Sequence, residues 1–495
     1  MKALDELKIE LYDLNALNAA GSLMGWDQQT FMPAGASEVR SEHVSVLTRM
    51  AHEKQTSMRF RALLEEAENS VEPGSDDADM LRVVRRDFDY ATKLPGDFVE
   101  EKSRVTSRAH EIWVDARKQN DFSHFAPILE QIVEFERREA DLLGYENTPY
   151  DALIERFEEG TSTAEAKRVF DQLVPATREL LDKIRNSPVN PDAEGLVGDW
   201  APERQRPFTE TIVQAVGFDF NRGRQDTAPH PFCSGTSRTD IRLTTRFLNN
   251  IESAIFGSLH EAGHGMYEQN QNPEWDRLPL SGGVSMGVHE SQSRLWENIV
   301  GRSKAFWQRF LPELQEIFPE LCRYDLDSWY AAINKVQPTL IRVEADEVTY
   351  NLHIAVRFEL EQALMNKELS VHEIPEAWNS KYEEYLGIRP ESDSNGCLQD
   401  VHWSFGGFGY FPTYTYGNLL SHQIWAKLKL DIPNPDELIA RGEFAPILNW
   451  LTENIYQWGK KYRPQELMLK VTGKSMNADD YIAAMNRKYG EIYQF

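Results

Sequence analysis

Cysteine is nearly absent: Cys233, Cys322 and Cys397 are the only three in 495 residues. An odd, small number does not build a disulfide framework, and none of the three has the C-x-x-C spacing of a metal site. They read as reduced thiols in a reducing compartment. Basic charge is also short. Lys and Arg number 53 against 79 Asp and Glu, a formal net charge of −26. A nucleic-acid binder carries a basic face, so that class is excluded, and no polybasic membrane anchor is present. The acidic surplus keeps the protein soluble and mildly disfavours acidic substrates. No apolar run reaches the ~20 residues that span a bilayer. The first residues, MKALDELKIELYDLNALNAAGSL, are acidic and amphipathic without a leader-type apolar core. The expectation is a cytosolic protein.

Linkers, repeats and low-complexity tracts are missing too. The length would permit about three domains, but the breaks are short: NSVEPGSDD at 69–77 and RNSPVNPDAEGLVGDWAPERQRP at 185–207. One body, residues 1–495, mainly helical, is therefore expected. Apolar residues recur at helical steps over 1–22, 37–68, 77–94, 96–119, 123–144, 163–186 and 207–216. The stretch 230–247, HPFCSGTSRTDIRLTTRF, alternates instead and predicts a small hairpin or sheet edge. Helices resume at 248–270, 289–301, 303–317, 326–335, 343–366, 371–386, 412–429, 434–442, 446–455, 463–471 and 477–489, the last with Asn477 as N-cap.

What is present is SLHEAGHGMYEQN, 258–270. Residues four apart on a helix share a face, so His260 and His264 can aim imidazoles at one metal ion. Glu261 lies ~60° around the axis from His264, close enough to act on a water without being a ligand. This is the content of the H-E-x-x-H pattern: two zinc ligands and a general base. Gly263 and Gly265 weaken the helix but let something approach it closely. A catalytic zinc needs three protein ligands and an open position. Downstream, Glu290 opens an apolar-periodic helix with Leu295, Trp296, Ile299 and Val300. Returning across the first helix, it completes a His₂Glu set. His289 points elsewhere on that helix, and Gln292 and Arg294 read as outer groups that orient the ligands. Such a site acidifies water; Glu261 takes the proton and passes it to a leaving amine, which is peptide-bond hydrolysis without a covalent intermediate.

Six stretches, in order, resemble the carboxypeptidase Taq family of zinc metallocarboxypeptidases: WDQQTFMPAG (26–35), DIRLT (240–244), HEAGH (260–264), HESQS (289–293), IRVEAD (341–346) and GCLQDVHW (396–403). The resemblance implies a helical clamp with a deep groove, two lobes flanking it, and a small sheet near the zinc helix, related to thimet oligopeptidase and angiotensin-converting enzyme. It implies release of single C-terminal residues from peptides with broad specificity, one zinc per chain that cobalt can replace, and a homodimer. By similarity to the converting-enzyme relatives, His230 of HPFCSG hydrogen-bonds the substrate backbone. His402 and Tyr410, with Tyr414 as alternate to Tyr410, are oxyanion donors, on a loop that Gly406, Gly407 and Gly409 would make mobile. Trp26 and Asp27 read as groove wall or structural residues, not catalytic ones.

An exopeptidase also needs a fixed cation for the substrate's carboxylate, and arginine's planar fork suits it. Arg242, Arg342 and Arg389 lie in or near these motifs. Arg242 sits two residues from Asp240 and Arg389 at a turn, so Arg342 is chosen. The competing readings are an oligopeptidase or dipeptidyl carboxypeptidase with the same zinc chemistry, and a non-catalytic peptide-binding protein, against which the intact ligand and base set speaks.

Overall fold

The computed structural model describes residues 2–495. Helices α1 (Lys2–Thr30), α2 (Ser37–Gln55), α3 (Met58–Glu68) and α4 (Asp76–Lys93) come first. They are followed by α5 (Gly96–Gln119), α6 (Phe122–Leu143), α7 (Pro149–Glu155), α8 (Thr163–Asn186) and α9 (Pro202–Val216). Three strands, β1 (Gly223–Thr227), β2 (Cys233–Ser237) and β3 (Asp240–Thr245), precede α10 (Ile251–Gln269) and α11 (Met286–Arg294). Then come α12 (Lys304–Ile317), α13 (Leu326–Ile333), α14 (Tyr350–Met365), α15 (Ile374–Leu386) and α16 (Pro412–Asp431). The last are α17 (Pro435–Ala440), α18 (Ala445–Asn454), α19 (Pro464–Thr472) and α20 (Asp479–Tyr493). The architecture is mainly helical with one small sheet, as expected. Among the described residues no helix is long and apolar enough to cross a membrane.

Local signals explain where expectation and structure part. The run 37–68 is two helices, because Ser57 stops one and its Oγ accepts from Phe60 N to start the next. α1 runs on to Thr30, so Trp26 and Asp27 are helical. α7 was not expected; Pro149 at its first turn and a Thr148–Asp151 capping box begin it. α14 starts at Tyr350, later than 343, since Asp346 collects the N–H groups of Gln337, Val348 and Thr349 and holds that stretch irregular. The N-cap of α20 is Ala478 rather than Asn477; Asn477 lies one residue earlier, its side chain accepting from Asp479 N in a turn that leads into the helix.

The sheet order is β1–β3–β2, with β1 parallel and β2 antiparallel to β3. The hairpin of β2 and β3 matches the alternating stretch. β1 lacks that alternation and pairs through a crossover that a single run cannot reveal. α10 is fastened to the sheet by polar links: Gln225 Nε2 donates to Ser258 Oγ at 2.8 Å, and Ser258 Oγ to Thr245 Oγ1 at 3.1 Å. α1 reaches β2, where Ser22 Oγ donates to Gly235 O at 3.1 Å. The buried apolar side chains form two clusters. The larger runs from α5 to α20; the smaller joins Leu4, Leu7 and Leu11 of α1 to α3, α4, Trp275 and Leu280.

Candidate metal centre

α10 begins where Asn250 Oδ1 accepts from Glu252 N, and it carries His260, Glu261 and His264. α11 begins at Ser285, whose Oγ accepts from Val288 N. The buried Glu158 strengthens that start by accepting from Ser285 Oγ and Gly287 N at 2.8 and 2.9 Å. Beyond Arg294 the same rod continues as a π-helix, Leu295–Gly301, and turns Glu297 toward α10. The two rods touch backbone to side. A Cβ on Gly263 would lie 2.6 Å from Gln292 O and 2.7 Å from Ser293 Cα. What approaches α10 at Gly263 is therefore α11, while Phe218 and, from β3, Leu243 close on Gly265. α16 closes the third side, where a Cβ on Gly417 would lie 2.3 Å from Glu290 Cγ.

One ligand atom each from His260, His264 and Glu290 lies within 4.8 Å of the others. His260 Nε2 and His264 Nε2 are 3.6 and 3.4 Å from Glu290 Oε2. The outward nitrogens are taken: His260 Nδ1 by Glu297 Oε2 at 2.8 Å, and His264 Nδ1 by His289 Nδ1 at 2.6 Å. His289 Nε2 in turn meets Glu268 Oε1 at 2.8 Å. Two inward Nε2 atoms with fixed outer partners and one carboxylate are the donor set that zinc takes, so the residues fit a metal of that class. With its Nε2 on a metal, His264 donates from Nδ1, so His289 accepts there and donates from Nε2 to Glu268.

The outer groups depart from the sequence reading. His289 does not point away; it holds His264. Glu268 and Glu297 were missed, although each lies on a helix that carries a ligand. Arg294 orients Glu290, Nε to Oε1 at 2.7 Å, and also meets Glu297 at 3.2 Å. Gln292 instead accepts from Tyr456 OH at 3.0 Å.

Titration follows the geometry. Burial would lower His260, but Glu290 and Glu297 hold it up at about 9. Burial lowers His264 to about 4. Burial would raise Glu290, but Arg294 and His260 hold it well below the usual carboxylate range. The metal-free triad thus keeps one proton, on His260. Glu261, on the same helix, is buried and so pushed up to about 7.

Arg342 is buried beside the site. Its Nε and Nη2 meet Asp400 Oδ1 at 2.9 and 2.8 Å, and Nη1 donates to Tyr350 OH at 2.9 Å. Arg294 lies over the Tyr350 ring, 4.6 Å from its centroid, so Tyr350 links Arg342 to the residue that orients Glu290. His402 Nε2 is 3.3 Å from Tyr414 OH, and the His402 and Tyr410 ring centroids are 5.4 Å apart. Burial lowers His402 to about 3 and raises Tyr410 to about 12, so both are neutral. Their loop is not free. Arg156 donates to Phe408 O at 2.8 Å, and Glu361 accepts from Gly409 N and Trp403 Nε1 at 3.0 and 2.8 Å. Its glycines serve close approach instead: Gly409 has φ +84°, and a Cβ there would meet the Leu153 backbone at 2.5 Å. His230 makes no hydrogen-bond or ion-pair contact with the triad residues. It is exposed on the β1–β2 connection, with Pro231 next to it against Gly257 of α10. Arg242 is held by Asp240 at 2.9 Å and Arg389 by Glu376 at 2.7 Å.

Two histidines and a glutamate on facing helices, with a second glutamate one residue along, define a metallopeptidase of the H-E-x-x-H class. The family model for "Carboxypeptidase Taq (M32) metallopeptidase" matches residues 6–489. The chain belongs to that family and is a metallocarboxypeptidase. Thermostable carboxypeptidase 1 of Thermus thermophilus is 40% identical over 490 residues, 96% of each chain. Carboxypeptidase 1 of Bacillus subtilis is 38% identical over 98% of each. Among solved structures, the M32 carboxypeptidase from Deinococcus radiodurans R1 superposes with a TM-score of 0.98 at 38% identity over 100% of both chains.

Proposed function

We propose that this chain is a zinc-dependent exopeptidase that releases one residue at a time from the C-termini of peptides with broad tolerance of side chain, cobalt substituting for zinc. The whole chain would form one catalytic unit with two lobes, working as a cytosolic homodimer. The observation that carries the reading is the convergence of His260, His264 and Glu290 with the buried Glu261 beside them. Zinc held by those three residues supplies Lewis-acid polarisation of the scissile carbonyl and acidifies water. Glu261 accepts a proton from the attacking water and returns it to the leaving amine. Burial raises its proton affinity in the metal-free site, the direction that favours a carboxylate taking up a proton. Tyr410 and His402 donate hydrogen bonds to the oxygen on which charge develops. His230 binds substrate backbone.

Arg342 receives the substrate's terminal carboxylate. Support comes from its setting: Asp400 orients one edge of the guanidinium, and Tyr350 and Tyr414 flank it. Digestion of a short peptide, followed by mass spectrometry, tests the reading. Stepwise loss of single C-terminal residues is expected, abolished by a chelator and restored by zinc. Loss of a dipeptide or an internal cut would make the protein an oligopeptidase of the same chemistry.

A further inference from the structure

The arginines around the metal triad hold carboxylates. Arg294 holds Glu290, Arg342 and Arg357 share Asp400, and Arg242 holds Asp240. Two arginines on the other flank do not. Arg238, in the turn between β2 and β3, pairs with no carboxylate among the described residues, and its Nε is buried without a hydrogen-bond partner. Arg277 lies over the Tyr12 ring of α1, 5.2 Å from its centroid, and likewise meets no carboxylate among the described residues. Its φ of +65° is the left-handed region that side-chain-bearing residues enter only under constraint. Both face one cavity of about 350 Å³, along with Ser234, Thr236 and His289. Lys460 stands at its rim, Nζ 4.0 Å from where a Cβ on Gly282 would lie. The acids in the wall already hold partners there: Glu268 accepts from Gly283 N and meets His289, and Asp276 accepts from the backbone N–H of Arg238 at 3.4 Å. A buried guanidinium edge without an acceptor is costly, and a carboxylate would satisfy it.

The place of the cavity sets which part of a peptide it meets. It adjoins His289, which touches His264, and Cys233, which lies in the field of Glu261. Arg342 is reached from the opposite ligand, Glu290, through Arg294 and Tyr350. β2 leads from Cys233 out to Ser237 and the Arg238 turn, at ~3.3 Å per residue. An extended peptide whose C-terminus sits on Arg342 therefore passes Arg238 with residues upstream of the scissile bond. We infer that this cavity is a specificity subsite for an acidic side chain, aspartate or glutamate, upstream of the scissile bond, held by Arg238 and Arg277. This rests on the exopeptidase orientation proposed above. The net charge of −26 opposes acidic peptides at long range, but salt screens that field beyond ~8 Å, and around the cavity itself Arg238, Arg277 and Lys460 outnumber Glu268 and Asp276.

Peptides sharing one C-terminal dipeptide, with Glu, Ala or Lys placed at each upstream position in turn, give the readout as ratios of kcat/KM. Glu should exceed Ala about 10-fold at one position, the scale of a charge-assisted hydrogen-bonded pair. In Arg238→Ala/Arg277→Ala that ratio should fall to about 1. Arg238→Glu/Arg277→Glu should favour the lysine peptide, a gain that misfolding cannot mimic. A wild-type ratio near 1 at every upstream position overturns the inference, and so does a preference that survives in the double alanine variant. If the loss in that variant follows the free terminal carboxylate and not the upstream Glu, judged on amidated peptides, the cavity holds the C-terminus and the inference fails. Internal cleavage seen by mass would refute the exopeptidase reading alone, because the Glu-to-Ala ratio can be read whichever bond breaks. If no peptide is turned over, calorimetric binding of the Glu and Ala peptides supplies the same ratio.

Discussion

At the residue scale the metal triad has two layers, the inward ligand atoms of His260, His264 and Glu290 and the outward imidazole nitrogens fixed by Glu297 and His289. Spacing along one helix brings out His260, Glu261 and His264, and a loop-and-return supplies Glu290. What spacing cannot give is which outward nitrogen meets what, since that depends on how α10 and α11 cross. Spacing therefore turns His289 away from the site, although its ring holds His264. The same contacts make a prediction about proton release. The metal-free site keeps a proton on His260, held up at about 9 by Glu290 and Glu297 against its burial. Zinc must displace it, so apparent zinc affinity should rise about tenfold per pH unit between pH 6 and 8. Competition with a chelator of known affinity measures this; a flat profile would mean that His260 is neutral before the metal arrives. Glu261→Gln keeps the shape and removes the base. Zinc content should stay near normal while kcat drops at least ~10²-fold. A parallel loss of zinc would make Glu261 a ligand or a prop for one. Arg342 offers a sharper test, because Asp400 gives it a plain structural role as well. Arg342→Ala should lower kcat/KM strongly for peptides with a free terminal carboxylate, and much less for the already poor cleavage of amidated ones. Equal losses would leave it a strut for Asp400.

At the element scale the helices were visible wherever apolar periodicity was unbroken, and boundaries failed where a side chain rather than the pattern decides. Ser57 splits one run and Asp346 delays another, and neither signal changes the periodicity around it. β1 failed for a different reason: its partner is β3, reached across β2, and parallel pairing leaves little local trace. The glycines of the 402–411 loop misled in the same way. They suggest freedom on their own, yet Gly409 is a glycine because the Leu153 backbone leaves no room for a Cβ. Close approach also governs the third ligand. Gly417 of α16 faces Glu290 with no space for a methyl group. Gly417→Ala should therefore push α16 and α11 apart, at ~1–3 kcal/mol of stability for overpacking, and weaken zinc binding at least about 10-fold. Gly21→Ala is the control. It sits in the interior of α1 with nothing near its added methyl, so it should stabilise by roughly 0.5–1 kcal/mol. Zinc affinity unchanged in Gly417→Ala would show that Glu290 is positioned by α11 alone.

At the scale of the whole molecule, the question is how the N-terminal helices are joined to the part that holds the metal triad. α1 has 29 residues and so spans about 43 Å, enough to reach from one cluster to the other. Its first half buries Leu4, Leu7 and Leu11 in the smaller apolar cluster. In its second half Trp26 is the only buried residue. That indole packs against Arg242 at 4.2 Å and Arg224 at 5.1 Å from the ring centroid, with Phe31 edge-on at 5.5 Å. Both arginines are held flat by their own carboxylates, Asp240 and Asp226. Cation–π contacts of this kind contribute ~0.5–2 kcal/mol each, and truncating a buried tryptophan adds several more. Trp26 is thus a clamp between α1 and the sheet, which assigns a physical task to the WDQQTFMPAG and DIRLT stretches at once. Asp27, paired with Arg40 at 2.6 Å, ties α2 to the same point. Because the smaller cluster is built apart from the larger one, Trp26→Ala should loosen α1 and α2 without unfolding the metal centre. Amide hydrogen exchange should rise in residues 15–55 and stay slow in α10 and α11, with zinc content retained. Selectivity among upstream residues of the peptide should relax, since Asn15 of α1 lines that cavity and the Tyr12 ring lies under Arg277. Trp26→Phe, which keeps a ring over the guanidinium groups, should fall between. Exchange that rises equally through α10 and α11 would mean that the two clusters open together, and that α1 is part of the scaffold of the metal site rather than a cover fastened to it.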